Sequence, residues 1–204
     1  IENDHFSFFS LLIFTLLPPV VRRQFIALNC FHLESNRYLK IDSSIDCETS
    51  DYQLFVFFDV SMILIYMAIP MYWVLLLYRQ RAILNPPSTD EQLVYYLRDN
   101  DEELQPLRFL FVPYRPSTLY FESFEMYRRI SFIGLLPLLS SHPDRRATIG
   151  VFLSLCSLEL FRNFEPFMSE STNLLAYIAQ YAVLLTFVAA LVLNAGIADG
   201  GCHH

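Results

Sequence analysis

Residues 174–197 read "LLAYIAQYAVLLTFVAALVLNAGI", a run of mostly apolar side chains that no charged residue interrupts. A transmembrane helix needs about 20 consecutive, mainly apolar residues to cross the hydrocarbon core of a bilayer. A second such run, "LFVFFDVSMILIYMAIPMYWVLLLY", covers residues 54–78 and contains a single charged residue, Asp59. These two segments decide the fold class, and they predict an integral membrane protein built from transmembrane α-helices.

The composition of the whole chain agrees with this class. Of its 204 residues, 54% are hydrophobic and 17% are charged, whereas soluble domains carry about 25% charged residues. The net charge is −7, and the chain has no tract rich in Lys and Arg, so nucleic acid is not an expected partner. The expected partners are the lipid bilayer, other membrane helices or further copies of the chain. We expect the plasma membrane rather than an endomembrane.

Five hydrophobic segments are predicted to span the membrane. They lie near residues 5–21, 54–78, 120–140, 147–161 and 174–197. Polar loops cover residues 24–53 and 79–119. The predicted fold is therefore an all-α polytopic transmembrane bundle of about five spans. Residues 1–204 read as a fragment of one transmembrane domain, because the chain starts at Ile1 and stops at "GGCHH".

Local signals refine the ends and the course of these segments. The first span is expected to end at "PPVVRR", and Pro70 and Pro137 are expected to bend the spans that contain them. Ser88 and Glu91 have the spacing of a capping box, which predicts a short cytosolic amphipathic helix over residues 89–98. The last span is expected to be capped by one of three polar residues: Ser171, Thr172 or Asn173.

The orientation follows from the arginines that flank the second span. Arg79 and Arg81 come directly after it, and the positive-inside rule places them in the cytosol. The loop that holds Cys30 and Cys47 then faces outside, where a disulfide can form. Four other arginines would face outward and argue against this orientation: Arg22, Arg23, Arg145 and Arg146.

Residues 120–139, "YFESFEMYRRISFIGLLPLL", place four charges at the entrance to the third span: Glu122, Glu125, Arg128 and Arg129. In a helix, Glu125 lies one turn from both arginines, so ion pairs along the helix surface are geometrically available. An unpaired charge near the bilayer centre costs about 3 kcal/mol or more. Two interpretations stay open. The charges form a cluster that faces the bundle interior and lines an ion path or couples helices, or they anchor the helix at headgroup level.

Other polar side chains occur within the predicted spans. Asp59 and Glu159 are intramembrane acids, each interpreted either as a functional group or as a side chain that pairs locally and reaches water. The last span carries a polar stripe of Asn173, Tyr177, Gln180 and Asn194, which would line a cavity or hydrogen-bond to a neighbouring helix. Nearly opposite is a face of small residues suited to close packing, formed by Ala182, Thr186 and Ala189 or Ala190.

Few other residues indicate a disulfide, a metal site or a catalytic site. Cys30 and Cys47 are candidates for a disulfide, and Cys156 is expected to be a buried, small apolar residue. The closing "CHH" could ligate a metal, but a chain boundary or tag explains it better, and no metal or cofactor is predicted. The sequence lacks the motifs of hydrolases and structural zinc sites, so an enzyme is not expected.

Three stretches together resemble a known family. They are "FIALNCFHLESNRYLKIDSSIDCET" (25–49), "LRFLFVPYRPSTLYFESFEMYRRISFIGLLPLL" (107–139) and "LELFRNFEPFMSESTNLLAYIAQYAVLLTFVAAL" (158–191). Their succession resembles the TRP-like (transient receptor potential C-terminal domain) module of large multi-pass membrane proteins in microbial eukaryotes. The best-matching motif comprises Tyr120, Phe121, Glu122, Glu125, Arg128 and Arg129.

The resemblance covers most of the chain from about Phe25 to Leu193. It implies a helical membrane domain that forms part of a cation channel or of a mechanical or chemical sensor. The alternative is a non-conducting membrane anchor and assembly module for a large extracellular region. No pore-loop or selectivity-filter sequence is recognisable. The resemblance favours an interior, paired role for the four charges without excluding the anchor.

Overall fold

The computed structural model describes residues 2–33, 36–86, 91–101, 104–139 and 142–200. The described chain is mostly helical, as predicted. Its α-helices are α1 (Glu2–Ala27), α2 (Ser50–Arg79), α3 (Arg81–Leu84), α4 (Glu91–Asn100), α5 (Arg108–Phe111), α6 (Phe121–Ile130), α7 (Leu136–Leu139), α8 (Pro143–Phe164) and α9 (Glu170–Gly200). Short 3₁₀ turns cover Gln105–Leu107 and Pro116–Thr118, and a π-helical turn covers Ser131–Leu135.

Three of the described helices are long and apolar enough to cross a membrane. They are α2, α8 and the part of α9 from Glu170 to Gly196. They coincide with three of the predicted spans, near 54–78, 147–161 and 174–197. The count of about five spans is not confirmed, because α1 and the segment 121–139 do not meet the same criterion. The second of these carries all four charges of the third predicted span, which accounts for its lower hydropathy.

Helix α1 is longer than predicted. It passes through Pro18 and Pro19 and ends at Ala27, beyond "PPVVRR". Leu17 and Val21, on either side of the proline pair, are almost completely buried against α2. Tertiary packing on both sides of the prolines therefore outweighs their local tendency to end a helix.

A small extra-helical loop connects α1 to α2. Strands β1 (Cys30–Leu33) and β2 (Asn36–Leu39) form an antiparallel hairpin, which departs from the predicted all-α fold. The predicted disulfide between Cys30 and Cys47 is present. The Tyr52 hydroxyl donates a hydrogen bond of 3.0 Å to the Ala27 carbonyl. The loop is thus tied covalently and by hydrogen bonds across the adjoining ends of α1 and α2.

The main hydrophobic core lies among α1, α2, α5 and α6. Trp73 of α2 contacts Phe109 of α5 edge-on, with ring centroids 5.7 Å apart, and Phe14 of α1 in a tilted arrangement, with centroids 6.1 Å apart. Other buried members are Leu17, Val21, Leu77, Leu84, Leu104, Leu107, Leu110, Phe111, Leu119, Met126 and Ile130. The core continues into the segment after α3, and so it fixes α5 and α6 against the first two helices.

The π-helical turn at Ser131–Leu135 joins α6 to α7 directly before Pro137. A proline ring clashes with the carbonyl four residues earlier in a regular helix, and a wider turn relieves that clash. Gly134 lies inside this turn against Phe25 of α1, where an added Cβ would be 2.3 Å from the ring. The helix is therefore irregular before Pro137, where a bend was expected. The irregularity is a π-helical turn, and α1 packs against it at Gly134.

Helices α8 and α9 form an antiparallel hairpin through a small-residue face of α8. Ala147, Gly150, Ser154 and Ser157 are buried there, and the Phe187 ring of α9 lies on Gly150. The small face predicted on α9 is not used in this packing, because Ala182, Thr186 and Ala189 are exposed and Ala190 is half-buried. Cys156 is also exposed, on the outer face of α8, so its predicted burial was wrong.

Helix α4 overlaps the predicted helix at residues 89–98, and Ser88 lies outside the described residues. Its inner side buries Val94 and Arg98, whereas Tyr96 and Leu97 are exposed. Because a charged residue faces inward and apolar residues face outward, the simple amphipathic pattern is not confirmed. The cytosolic placement of this helix stays a prediction.

Candidate functional site

The carboxylate of Glu125 is the centre of the charged segment in α6. Arg128 donates two hydrogen bonds to it, from Nε at 2.7 Å and Nη2 at 2.6 Å. Arg129 adds a third from Nε at 3.1 Å. The side chains of Glu125 and Arg128 are 9% and 13% exposed, whereas that of Arg129 is 47% exposed. The spacing of three residues thus gives a buried, bidentate ion pair between Glu125 and Arg128. The spacing of four residues gives a weaker, more exposed contact between Glu125 and Arg129.

Glu122, one turn earlier, is buried but does not join these ion pairs. Its Oε2 atom accepts a 2.5 Å hydrogen bond from the Tyr114 hydroxyl, and its Oε1 atom has no hydrogen-bond partner among the described residues. Burial and the nearby Glu122 carboxylate raise the pKa of Tyr114 well above its ordinary value. The phenol therefore stays protonated and acts as the hydrogen-bond donor to Glu122.

Arg98 of α4 is fully buried and contacts the backbone of Tyr114. Its Nη1 atom donates to the Tyr114 carbonyl at 3.0 Å, and its Nη2 atom lies 3.5 Å from the Met168 Sδ atom. Asp99 gives a partial counter-charge at 3.4 Å. Burial lowers the pKa of the Arg98 guanidinium from its ordinary value. Tyr114 is therefore the link between a buried arginine and a buried glutamate.

The segment 113–118 and the turn 165–168 form what we call the interhelical clamp. Its backbone bonds run from Arg115 N to Pro166 O at 2.9 Å and from Met168 N to Pro113 O at 3.1 Å. The Thr118 hydroxyl donates to Pro166 O at 2.9 Å. The Tyr114 ring stacks on Phe167 with centroids 5.1 Å apart. The clamp holds the turn between α8 and α9 beside the start of α6.

The predicted polar stripe of α9 divides into separate local roles. Asn173 accepts a hydrogen bond from Phe167 N at 2.9 Å and donates to Phe167 O at 2.8 Å. It therefore holds the clamp. Because α9 begins earlier, at Glu170, the predicted cap at Ser171, Thr172 or Asn173 was wrong. The Tyr177 hydroxyl lies 3.3 Å from that of Tyr181, and Asn194 bonds to Ala190 O of its own helix.

Gln180 is the member of the stripe that is buried most deeply. It is 5% exposed, and its side-chain oxygen has no hydrogen-bond partner among the residues that the structure describes. Gln180 faces inward, but no hydrogen bond from the stripe to a side chain of α8 occurs within the described chain. It does not meet the charged segment of α6 in a single site.

The two intramembrane acids also have separate environments. Asp59 of α2 lies beside the Gln24 side chain of α1, and its Oδ2 atom has no hydrogen-bond partner among the described residues. Glu159 lies exposed on α8 and accepts a hydrogen bond from Asn163 at 3.2 Å. Local pairing, one of the two interpretations of these acids, describes Glu159. Asp59 lies at the interface between α1 and α2, which sequence spacing could not identify.

Sequence reasoning missed Arg98, Tyr114 and the clamp. Each contact joins residues that are far apart in the chain, such as Arg98 and Met168. One signal was present: Val94 and Arg98 are four residues apart, which places them on one face of a helix. That spacing indicates a shared face, but it does not tell which face is buried.

Glu165 ends α8 in a left-handed backbone conformation, with φ 38° and ψ 62°. Glycine adopts this conformation without the steric cost that a Cβ atom brings. We expect Glu165→Gly to raise the free energy of unfolding by about 1 kcal/mol, measured by denaturant titration in detergent. Part of the gain would be offset by loss of the exposed contact with Arg115. Glu165→Gln keeps the Cβ atom and serves as control. A glycine variant less stable than this control would contradict the prediction.

Comparisons of the chain with models of protein families, with curated proteins and with solved structures find no match. Among the described residues, no group of three or more His, Cys, Asp or Glu side chains could hold a metal ion. The closing "CHH" lies outside the described residues. The features that bear on function are the long apolar helices, the charged segment of α6 and the clamp.

Proposed function

We propose that this chain is an integral membrane helical domain of the TRP-like class, with five spans, that forms part of a cation channel or of a mechanical or chemical sensor. In this proposal the charged segment of α6 couples movements of neighbouring helices. The observation that carries it is the connection from Glu122 through Tyr114 to Arg98. This connection joins α6, α4 and the turn between α8 and α9 through buried polar groups.

The pairing of Glu125 favours helix coupling over an ion path. Both of its carboxylate oxygens already accept hydrogen bonds from arginine. A carboxylate that binds passing cations needs an oxygen that is free to replace water around the ion. Because Glu125, Arg128 and Arg129 all lie on α6, coupling to other helices is carried by the separate network of Glu122, Tyr114 and Arg98.

The contacts of α1 support the two additional spans. Phe14, near the middle of α1, packs on Trp73 near the end of α2, whereas Gln24, near the end of α1, lies beside Asp59 near the start of α2. Helices α1 and α2 are therefore antiparallel along their length. At the far end of the segment 121–139, Gly134 meets Phe25 of α1. This arrangement puts the disulfide loop at one end of the bundle and the clamp at the other.

The orientation can be tested at the disulfide. We expect a membrane-impermeant maleimide to label Cys30 and Cys47 on intact cells only after an impermeant reductant is added, because both thiols are joined. Cys156 and Cys202 are first replaced by serine so that they do not react. Labelling that requires permeabilised cells would reverse the orientation. Labelling without reductant would contradict the disulfide.

A second candidate function is a non-conducting anchor and assembly module, and the exposure of α9 favours it. Only 6% of the most apolar window of this helix is buried. Leu175 and Val192 are 67% and 64% exposed. A surface of this kind is covered by lipid or by helices of other subunits, and small residues such as Ala182 and Ala189 permit close helix contacts.

Purified protein in sealed liposomes distinguishes the two functions. The channel proposal expects cation flux that changes several-fold in Tyr114→Phe, which removes the hydroxyl donor to Glu122 and keeps the aromatic ring. Tyr181→Phe is the matched control, because it removes an exposed hydroxyl from α9. Silent liposomes that hold intact oligomers would support the anchor. Equal flux from both variants and the unmodified chain would reject coupling through Tyr114.

A further inference from the structure

An apolar groove of about 250 Å³ lies between the start of α6 and the end of α8. It is lined by Ser117, Thr118, Tyr120, Phe121, Phe124, Leu160 and Phe164. Ser117 and Thr118 precede α6, whereas Phe124 and Leu160 lie about one turn inside their helices. The groove therefore runs from the clamp end of the bundle towards the middle of the predicted spans.

The lining determines what can occupy this groove. Four aromatic rings and a leucine form most of its wall, and the Thr118 hydroxyl is already bonded to Pro166. A water molecule needs two to four polar partners to be held stably, and this wall offers few. In a bilayer, an apolar groove on the outer surface of the helices is filled by the hydrocarbon that surrounds it.

Arg115, a residue of the clamp, is close in sequence to the lining of the groove. Arg115 precedes Ser117 by two residues and reaches Glu165, the residue after Phe164, at 3.4 Å. The Arg115 side chain is 35% exposed, and this single contact leaves donors of its guanidinium available. Arginine binds phosphate oxygens through paired N–H donors. The groove thus has a hydrocarbon-lined interior and a phosphate-binding group at its entrance.

We propose that this groove binds one acyl chain of a membrane phospholipid whose phosphate lies beside Arg115. The inference rests on the membrane-spanning arrangement given under the proposed function, but it does not depend on ion conduction. The bound chain would cover Phe121 and Phe124. Phe121 packs edge-on against Phe161, with centroids 5.0 Å apart. Occupancy would therefore hold α6 against α8 directly beside Glu122.

The experiment counts lipids that stay bound to the protein. The full chain is reconstituted in phosphatidylcholine vesicles, extracted into detergent, and analysed by native mass spectrometry. Leu160→Trp fills the groove and is expected to lower phosphatidylcholine retention about tenfold, equivalent to about 1.4 kcal/mol of binding. Leu155→Trp adds the same side chain to α8 at an exposed position outside the groove, and it is expected to retain lipid as the unmodified chain does.

A second variant tests the headgroup without filling the groove. Arg115→Gln is expected to lose phosphatidylcholine and to keep diacylglycerol, which has the same chains but no phosphate. Retention unaffected by Leu160→Trp, or lost equally in Leu155→Trp, would overturn the proposal. So would equal binding of phosphatidylcholine by Arg115→Gln and the unmodified chain. A protein that retains the lipid but conducts no ions would reject the channel proposal alone.

Discussion

Glu125→Gln is expected to lower the free energy of unfolding by about 3 kcal/mol or more, since removal of one partner leaves a buried charge uncompensated. Arg128 is only 13% exposed and both of its bonds to Glu125 would be weakened. The measurement is unfolding of the purified protein in detergent, followed by circular dichroism. Arg129→Gln is the matched control, because its side chain is 47% exposed. Loss of an ion pair as exposed as that of Arg129 typically lowers the free energy of unfolding by about 1 kcal/mol or less.

Reversal of the pair separates direct pairing from other effects of the substitutions. Glu125→Arg and Arg128→Glu should each destabilise the protein, whereas the double variant should recover most of the loss. Arg128 is the proper partner for this exchange, although sequence spacing made Arg129 equally eligible. The hypothesis of direct pairing fails if the double variant is as unstable as the two single losses added together.

Gly150→Leu is expected to separate α8 from α9 and to lower the free energy of unfolding by about 3 kcal/mol. An ideal Cβ atom at Gly150 would lie 2.2 Å from the Cδ1 atom of Phe187, far closer than atoms can approach. Thermal unfolding in detergent measures the loss, and crosslinking between the helices measures their separation. The π-turn residue Gly134, which faces Phe25, is expected to respond in the same direction.

Two further variants show whether the clash is the cause. Gly196→Leu places the same side chain on α9, where an added Cβ would meet no atom within 4 Å, so its stability should not fall. Phe187→Ala combined with Gly150→Leu should regain stability relative to Gly150→Leu alone, because the ring is removed. Equal losses at both glycines would show that leucine acts through something other than contact with Phe187.

The sequence was most informative where a structural property depends on neighbours in the chain. Long apolar runs located α2, α8 and α9, and helical spacing anticipated the contacts of Glu125 with both arginines. The pairing of Cys30 with Cys47 could be anticipated because both lie in one polar loop. In each case the interacting groups are close in sequence, or the signal is the composition of a continuous segment.

Other features depend on which surfaces meet, and periodicity leaves that undetermined. Polar and small residues lie on nearly opposite faces of α9, and only the fold shows that Gln180 faces inward while Ala182 faces outward. The contact of Arg98 with Tyr114 and Met168 joins segments that are distant in the chain. The passage of α1 through Pro18 and Pro19 depends on packing against α2, which local propensity does not record.

The positions of the disulfide loop and the clamp have a mechanical consequence. The loop fastens α1 to α2 at one face of the bundle, and the clamp fastens α6 to the α8–α9 pair at the other. The loop therefore limits separation of α1 from α2 at that face, and the clamp limits separation of α6 from α8 and α9 at the other.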